Sequence, residues 1–313
     1  MARILTVGAA QLGPVQRTDS RQAVVERLIN LLRQAHAKRV RLVVFPEAAL
    51  TAFFPHWYME DPQEIDSYFE REMPGPETRP LFEEARRLGI GFSLGYCELT
   101  EEAGRRQRFN ASILVNEQGR IIGKYRKIHL PGHSAYQPKQ RYQNLEKQYF
   151  EVGNLGFPVW RAFGGILGMC ICNDRRWPEA YRVMGLQGVE MVLLGYNTPL
   201  EGVCGPAEPA HLPMFHNWLC MQAGAYQNAA WVVGVAKAGL EEGVYQIGGS
   251  CIIAPTGEIV VRALTDGDEL IVADCDLDMG KRLKETIFNF AAHRRIEHYG
   301  LITQRTGAQP PPE

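Results

Sequence analysis

The sequence has no uninterrupted apolar stretch long enough for a membrane-spanning helix, so none is expected. It has no charge excess either: 34 basic against 35 acidic residues leave a formal net charge of −1. That balance argues against a nucleic-acid or anionic-membrane surface, which needs basic residues in surplus. The opening Met1-Ala2-Arg3-Ile4-Leu5-Thr6-Val7 is too quickly polar for a secretory leader and reads as a first strand. No glycine-rich phosphate loop stands out, and no pair of histidines four apart on a helix offers metal ligands. Seven cysteines, at 97, 170, 172, 204, 220, 251 and 275, lack metal-ligand spacing. Their odd number, without an export signal, points to a reducing, cytoplasmic setting. No metal and no cofactor are expected.

What is present is ordinary material for a large core, at 45% hydrophobic residues in 313. Strand and helix patterns alternate. Val24, Leu28, Leu31, Leu32 and Ala35 recur at helical spacing behind a candidate cap at Asp19, with Gln22 three residues on. Leu81, Phe82, Ala85 and Leu88 mark a second helix that Gly89 should stop. A third runs from His211 to about Gln227. Strands are expected over residues 40–45, 90–96, 111–115, 166–171, 191–195 and 230–236. Residues 112–122 and 250–260 echo each other as strand, glycine turn and strand, which suggests two similar halves packed sheet on sheet under helices. Periodicity alone predicts an α/β chain forming one domain, with only the tail from Gln309 looking disordered.

Three segments put chemistry at strand ends. The octet Cys172-Asn173-Asp174-Arg175-Arg176-Trp177-Pro178-Glu179 follows an apolar run and opens a proline-initiated helix, a place that favours thiolate over thiol. Free cysteine is more often buried core, the better reading for Cys170, although Cys170 and Cys172 stand close enough for a redox pair. A second run ends in Phe45-Pro46-Glu47, and a third carries Lys127 amid apolar and aromatic residues. Alone, Glu47 reads as a surface carboxylate and Lys127 as a snorkelling lysine. Together they supply a base, a cation for a developing oxyanion and a nucleophile.

These segments resemble the nitrilase superfamily of carbon–nitrogen hydrolases, nearest in motif to the N-carbamoyl-D-amino acid amidohydrolases. The resemblance runs over nearly the whole chain, through Tyr196-Asn197-Thr198-Pro199 and Ala254-Pro255-Thr256-Gly257-Glu258. It implies a four-layer α-β-β-α sandwich over residues 1–313, with a C-terminal extension from about 287. It implies a Glu47–Lys127–Cys172 triad, Glu146 beside the lysine, and no cofactor. The alternative for Glu146 is an exposed residue pairing with Lys147 or Arg141. Asn144 stands where the family has histidine, which puts an imidazole contribution from that loop in doubt. It further implies a homodimer or homotetramer, with the apolar run 287–290 either covering a partner or folding back on its own chain.

His129, two residues beyond Lys127, shares its face by strand alternation and is a supporting residue for lysine or substrate. Arg175 and Arg176 form a candidate carboxylate clamp; alternatively one of them pairs with Asp174 or Glu179. Asn173, Asn197 and Thr198 complete the candidate substrate contacts. The expected substrate is a small N-carbamoyl amino acid. Competing readings are a β-ureidopropionase-like enzyme, an amidase, a nitrilase, a cysteine protease using Cys172 and His129, or a non-catalytic binding module.

Overall fold

A computed structural model describes residues 2–102, 104–140, 142–201 and 208–312. Cys204, Arg141 and the terminal Glu313 lie outside them. Along the chain come β1 (Ile4–Gln11), α1 (Arg21–Ala37), β2 (Leu42–Val44), α2 (Pro62–Asp66), α3 (Arg79–Leu88), β3 (Gly91–Glu102), β4 (Arg105–Val115), β5 (Ile121–Arg126) and α4 (Glu146–Tyr149). There follow β6 (Val159–Ala162), β7 (Gly165–Ile171), α5 (Pro178–Leu186), β8 (Met191–Tyr196), α6 (Leu212–Asn228), β9 (Trp231–Ala236), and the hairpin β10 (Ala238–Glu241) and β11 (Val244–Ile247). The last elements are β12 (Cys251–Ile253), β13 (Ile259–Arg262), β14 (Glu269–Asp276), α7 (Lys281–Glu285), α8 (Phe290–His293) and α9 (Gly300–Gln304).

Two six-stranded sheets result, ordered β14-β1-β2-β3-β4-β5 and β6-β7-β8-β9-β12-β13. Read in that direction, both show the same succession: one antiparallel pair, two parallel pairs, two antiparallel pairs. The echoed segments are β4–β5 and β12–β13. Each carries a register shift, at Leu114/Val115 and Ile252/Ile253, and each turns on a left-handed glycine, Gly119 or Gly257. Apolar residues of β1 and β2 pack face to face with those of β7, β8 and β9, while α1 and α3 cover the first sheet and α5 and α6 the second. The four-layer arrangement follows because parallel strands buried on both faces need cover.

Local signals decide the helix ends with one correction. The cap of α1 is Ser20, whose side chain accepts from Ala23 N, whereas Asp19 accepts from Gln16 N and closes the preceding turn. Gly89 ends α3 in the left-handed region, φ 67°. The run 287–290 folds back in part: Phe288 packs edge-on against Tyr226, and the Arg182 guanidinium lies over Phe290. Ile287 stays exposed.

The two sheets pinch the segment Pro46–Glu47 between them. A Cβ on Gly95 of β3 would stand 2.5 Å from Pro46 O, and one on Gly195 of β8 would stand 2.4 Å from Glu47 N. Both neighbours are backbone, so nothing flexible can yield. Gly195→Ala is therefore expected to destabilise the protein by about 1–3 kcal/mol, the usual cost of overpacking. A urea titration reads this, and an unchanged midpoint would show that the sheets separate there freely.

Candidate active site

The parallel strands β2, β7 and β8 all end on one side of the sandwich, where open α/β sheets expose their loops. Glu47 leaves β2, Lys127 leaves β5, Cys172 leaves β7, and Asn197 leaves β8. Glu47, Lys127, Glu146 and Cys172 are all buried. Lys127 Nζ donates to Glu47 Oε1 at 2.8 Å and to Glu146 Oε2 at 2.6 Å. One ligand-type atom from each of Glu47, Glu146 and Cys172 lies within 4.8 Å of the other two. The lysine ammonium meets both carboxylates in that cluster, so their charge is answered by the protein's own cation.

Glu47 is held from three sides. Asn110 Nδ2 donates to Oε1 (2.7 Å), Asn197 N donates to Oε2 (2.8 Å), and Asn197 Nδ2 donates to the Glu47 carbonyl (2.9 Å). Oε2 accepts one of these bonds and keeps lone-pair capacity for a further proton. Asn110 also accepts the Lys127 backbone N–H at 2.8 Å, so one residue of β4 fixes both acid and lysine. It was not anticipated. The available signal was an amide at the head of the apolar run Ala111 to Val115.

Cys172 has φ +46°, an uncommon value outside glycine, and starts a 3-10 turn over Cys172–Arg176. Its thiol donates to Asn197 O at 3.3 Å. The expected thiolate is not favoured. Burial pushes the thiol up to about 11, Glu47 adds to the rise, and Lys127 and Arg175 oppose it. The same burial raises Glu146, with Lys127 opposing. Burial alone would lower Lys127, but Cys172, Glu146 and Glu47 more than offset it and hold the ammonium above its ordinary value.

The turn at Cys172 is built by Asp174, which is buried and pairs with neither arginine. It accepts from Tyr125 Oη (2.6 Å), Ile171 N (3.0 Å), His129 N (2.9 Å) and His129 Nδ1 (2.8 Å). His129 therefore does not share a face with Lys127. The chain leaves β5 at Arg126, and the imidazole turns away to stack against Trp177 and Phe157. Its ring meets the Cys172 turn through Asp174.

The two arginines divide. Arg175 is buried, and its guanidinium donates to Asn217 Oδ1 (2.9 Å), Cys172 O (2.6 Å) and Thr198 Oγ1 (2.8 Å), with Cys172 Sγ at 3.7 Å and the Tyr196 ring beneath. It braces the nucleophile turn with neutral partners, not with Asp174 or Glu179. Thr198 is thereby committed to Arg175, and Asn197 to Glu47; Asn197 Oδ1 remains buried without a partner. Asn173 Nδ2 donates to His129 O at 3.1 Å.

Over Cys172 lies a small pocket of about 60 Å³, partly open to solvent. Glu146, Asn173, Arg175, Arg176, Asn197 and Thr198 line it, under a roof of Phe53, His56, Pro131, Tyr142, Asn144 and Pro199. His56, a few residues after Glu47, carries no periodic pattern or motif in the sequence, and only the fold brings it to the pocket.

A sheet-on-sheet α/β sandwich with a buried carboxylate, ammonium and thiol at its strand ends is the arrangement of enzymes that hydrolyse amide and ureido bonds. The sequence profile described as carbon-nitrogen hydrolase matches residues 6–285, and the chain belongs to that family, within the nitrilase superfamily. It is 30% identical over 316 residues to N-carbamoylputrescine amidase of Arabidopsis thaliana, covering 97% of each chain. It is 33% identical over 176 residues to citrullinase of Francisella tularensis, covering 54% of this chain and 56% of that one. The crystal structure of a carbon–nitrogen hydrolase from Helicobacter pylori superposes with a TM-score of 0.80 at 23% identity, over 97% of this chain and 99% of that one. No helix among the described residues is long and apolar enough to cross a membrane.

A thiol raised to about 11 has a measurable consequence. Alkylation of Cys172 by iodoacetamide should keep accelerating from about pH 7 to about pH 9, because the thiolate fraction is still growing. Peptide mapping of the labelled cysteine against time reads the rate. A plateau below neutrality would show a stabilised thiolate.

Proposed function

We propose that this chain hydrolyses N-carbamoyl amino acids to the amino acid, carbon dioxide and ammonia, the D series being implied by the family resemblance alone and by no single residue. The observation that carries this reading is the charge of the pocket. Arg175 and Arg176 line it, and its described acidic residue, Glu146, is already bonded to Lys127. An α-carboxylate meets guanidinium there. The free ammonium of a carbamoyl diamine meets no uncommitted carboxylate among the described lining residues. Citrulline, the compound in the Francisella relative's name, likewise joins a ureido group to an amino acid. The full-length similarity to N-carbamoylputrescine amidase supports a second reading, in which the substrate is a carbamoyl diamine.

In the proposed reaction Glu47 takes the Cys172 proton as sulfur attacks the ureido carbon. Lys127 and the Asn173 backbone N–H donate to the oxyanion, each worth about 3–4 kcal/mol of barrier. The C–N bond breaks, and the leaving nitrogen takes the proton back from Glu47. With ammonia as that leaving group the intermediate is an S-thiocarbamate; water activated by Glu47 splits it and restores the Cys172 thiol, and the N-carboxy amino acid released falls apart to the amino acid and carbon dioxide. Arg176, which lines the pocket beside Cys172, takes the carboxylate, while Arg175 braces the turn.

Ammonia release from a panel of carbamoyl amino acids, carbamoyl diamines, amides and nitriles tests the substrate class. Cys172→Ala should abolish turnover in a folded protein. Arg176→Ala should cost about ten- to a hundredfold in kcat/KM on carboxylate-bearing substrates and little on the neutral amide of the same compound. Glu47→Gln should slow both alike. Equal losses on charged and neutral compounds in the arginine variant, or preference for the diamine, would remove the carboxylate assignment.

A further inference from the structure

The roof of the pocket is a loop with its own fastening. The loop's described residues, 131–140 and 142–145, leave and return at nearly the same point: His133 N donates to Asn144 O (2.9 Å), and Gln137 and Gln143 bond reciprocally across the loop at 2.8 and 3.0 Å. This loop supplies Pro131, Tyr142 and Asn144 to the pocket, and Glu146 follows it directly. Where it faces the segment after β2, three bonds join the two. Gln143 N donates to His56 O (3.0 Å), Leu145 N donates to Pro55 O (2.9 Å), and the His56 ring meets Gln143 O at 2.9 Å through Nδ1.

A carbonyl only accepts, so Nδ1 carries the hydrogen. Nε2 is then the acceptor, and Gln246 Nε2 of β11 stands 3.4 Å from it. That strand also reaches the third wall, where Ile247 N donates to Thr198 O at 2.9 Å. The imidazole is wedged edge-on between Phe53 and Tyr142 and is 4% exposed. Burial pushes its pKa below the ordinary value, against the Gln143 carbonyl and Glu241, which keeps the ring neutral.

We propose that His56 is a positioning residue that latches the 131–145 loop over Cys172 through its Nδ1–H bond to the Gln143 carbonyl. The same latch sets the entry of Glu146 into its bond with Lys127. The proposal rests on the pocket being the reaction site, but its test needs no substrate. Asparagine reproduces the Nδ1 donor in place, whereas glutamine reproduces the Nε2 position and phenylalanine reproduces neither.

The experiment is hydrogen exchange by mass spectrometry, with iodoacetamide labelling of Cys172, on the full chain and its His56→Asn, His56→Gln and His56→Phe variants. In the Gln and Phe variants, exchange within 131–145 should speed by about tenfold, the usual scale for a buried carbonyl left without its donor. Cys172 labelling should speed with it. His56→Asn should stay within about twofold of the parent on both readouts. Three results would overturn the latch: Asn and Gln behaving alike, exchange in 131–145 unchanged in all variants, or acceleration spreading equally into β7, β8 and β9. The last would mark a general loss of stability. Turnover of carbamoyl compounds enters neither readout, so a wrong substrate class leaves these outcomes as they are.

Discussion

The bond on which the site depends is the Lys127 ammonium held between Glu47 and Glu146, with all three side chains out of water. Removing one partner from a buried pair typically costs about 3–5 kcal/mol, because the remaining charge is stranded. Two carboxylates share one lysine here, so the cluster is already short of positive charge. Burial is the main reason that Glu146 rises and that the thiol stays protonated beside it; the Glu47 charge adds to both, and Lys127 opposes both. A resting thiol, handed to a carboxylate only as the sulfur attacks, suits this balance better than a standing thiolate, which would add a further negative charge.

Backbone architecture keeps the cluster tight. Glycines at 95 and 195 let two sheets close on the Glu47 backbone, and Asn197 N, at the end of the neighbouring sheet, donates to its carboxylate. Cys172 is aimed by Asp174, which gathers four donors from β5, β7 and the chain after β5. Glu47 and Cys172 therefore belong to different sheets, and the inter-sheet core sets their separation. Close packing transmits small displacements, so the distance between them is as stiff as that core.

The strand ends, the echoed hairpins and the three residues that meet at the site, Glu47, Lys127 and Cys172, are all legible in the sequence, because each is a local pattern of apolar run, turn and polar residue. What was illegible depends on distant partners. Arg175 looked like a substrate clamp until Asn217, 42 positions away, claimed its Nε. His129 was assigned to the lysine's face by strand alternation, and the strand ended one residue before Lys127. Cys172 was given a thiolate by its place before a helix, yet burial outweighs a turn of five residues. Asn110 and His56 have no local mark beyond a polar side chain among apolar neighbours. Substrate recognition is the least legible part, since the pocket roof comes from loops that follow no period.

The matching succession of strands in the two sheets has one more implication. Matching the two strand orders place by place sets β2 against β8 and β1 against β7, so the chain leaving β2 with Glu47 corresponds to the chain leaving β8 with Asn197. These counterparts are hydrogen-bonded to each other across the divide. The counterpart of the nucleophile's strand end is Leu12, after β1, which bridges to Lys237 and carries no reactive group. A duplicated scaffold thus offers each position twice, and the chemistry arises where the copies differ. One half contributes the Glu47 carboxylate and the other the Cys172 sulfur, and neither half alone holds the cluster.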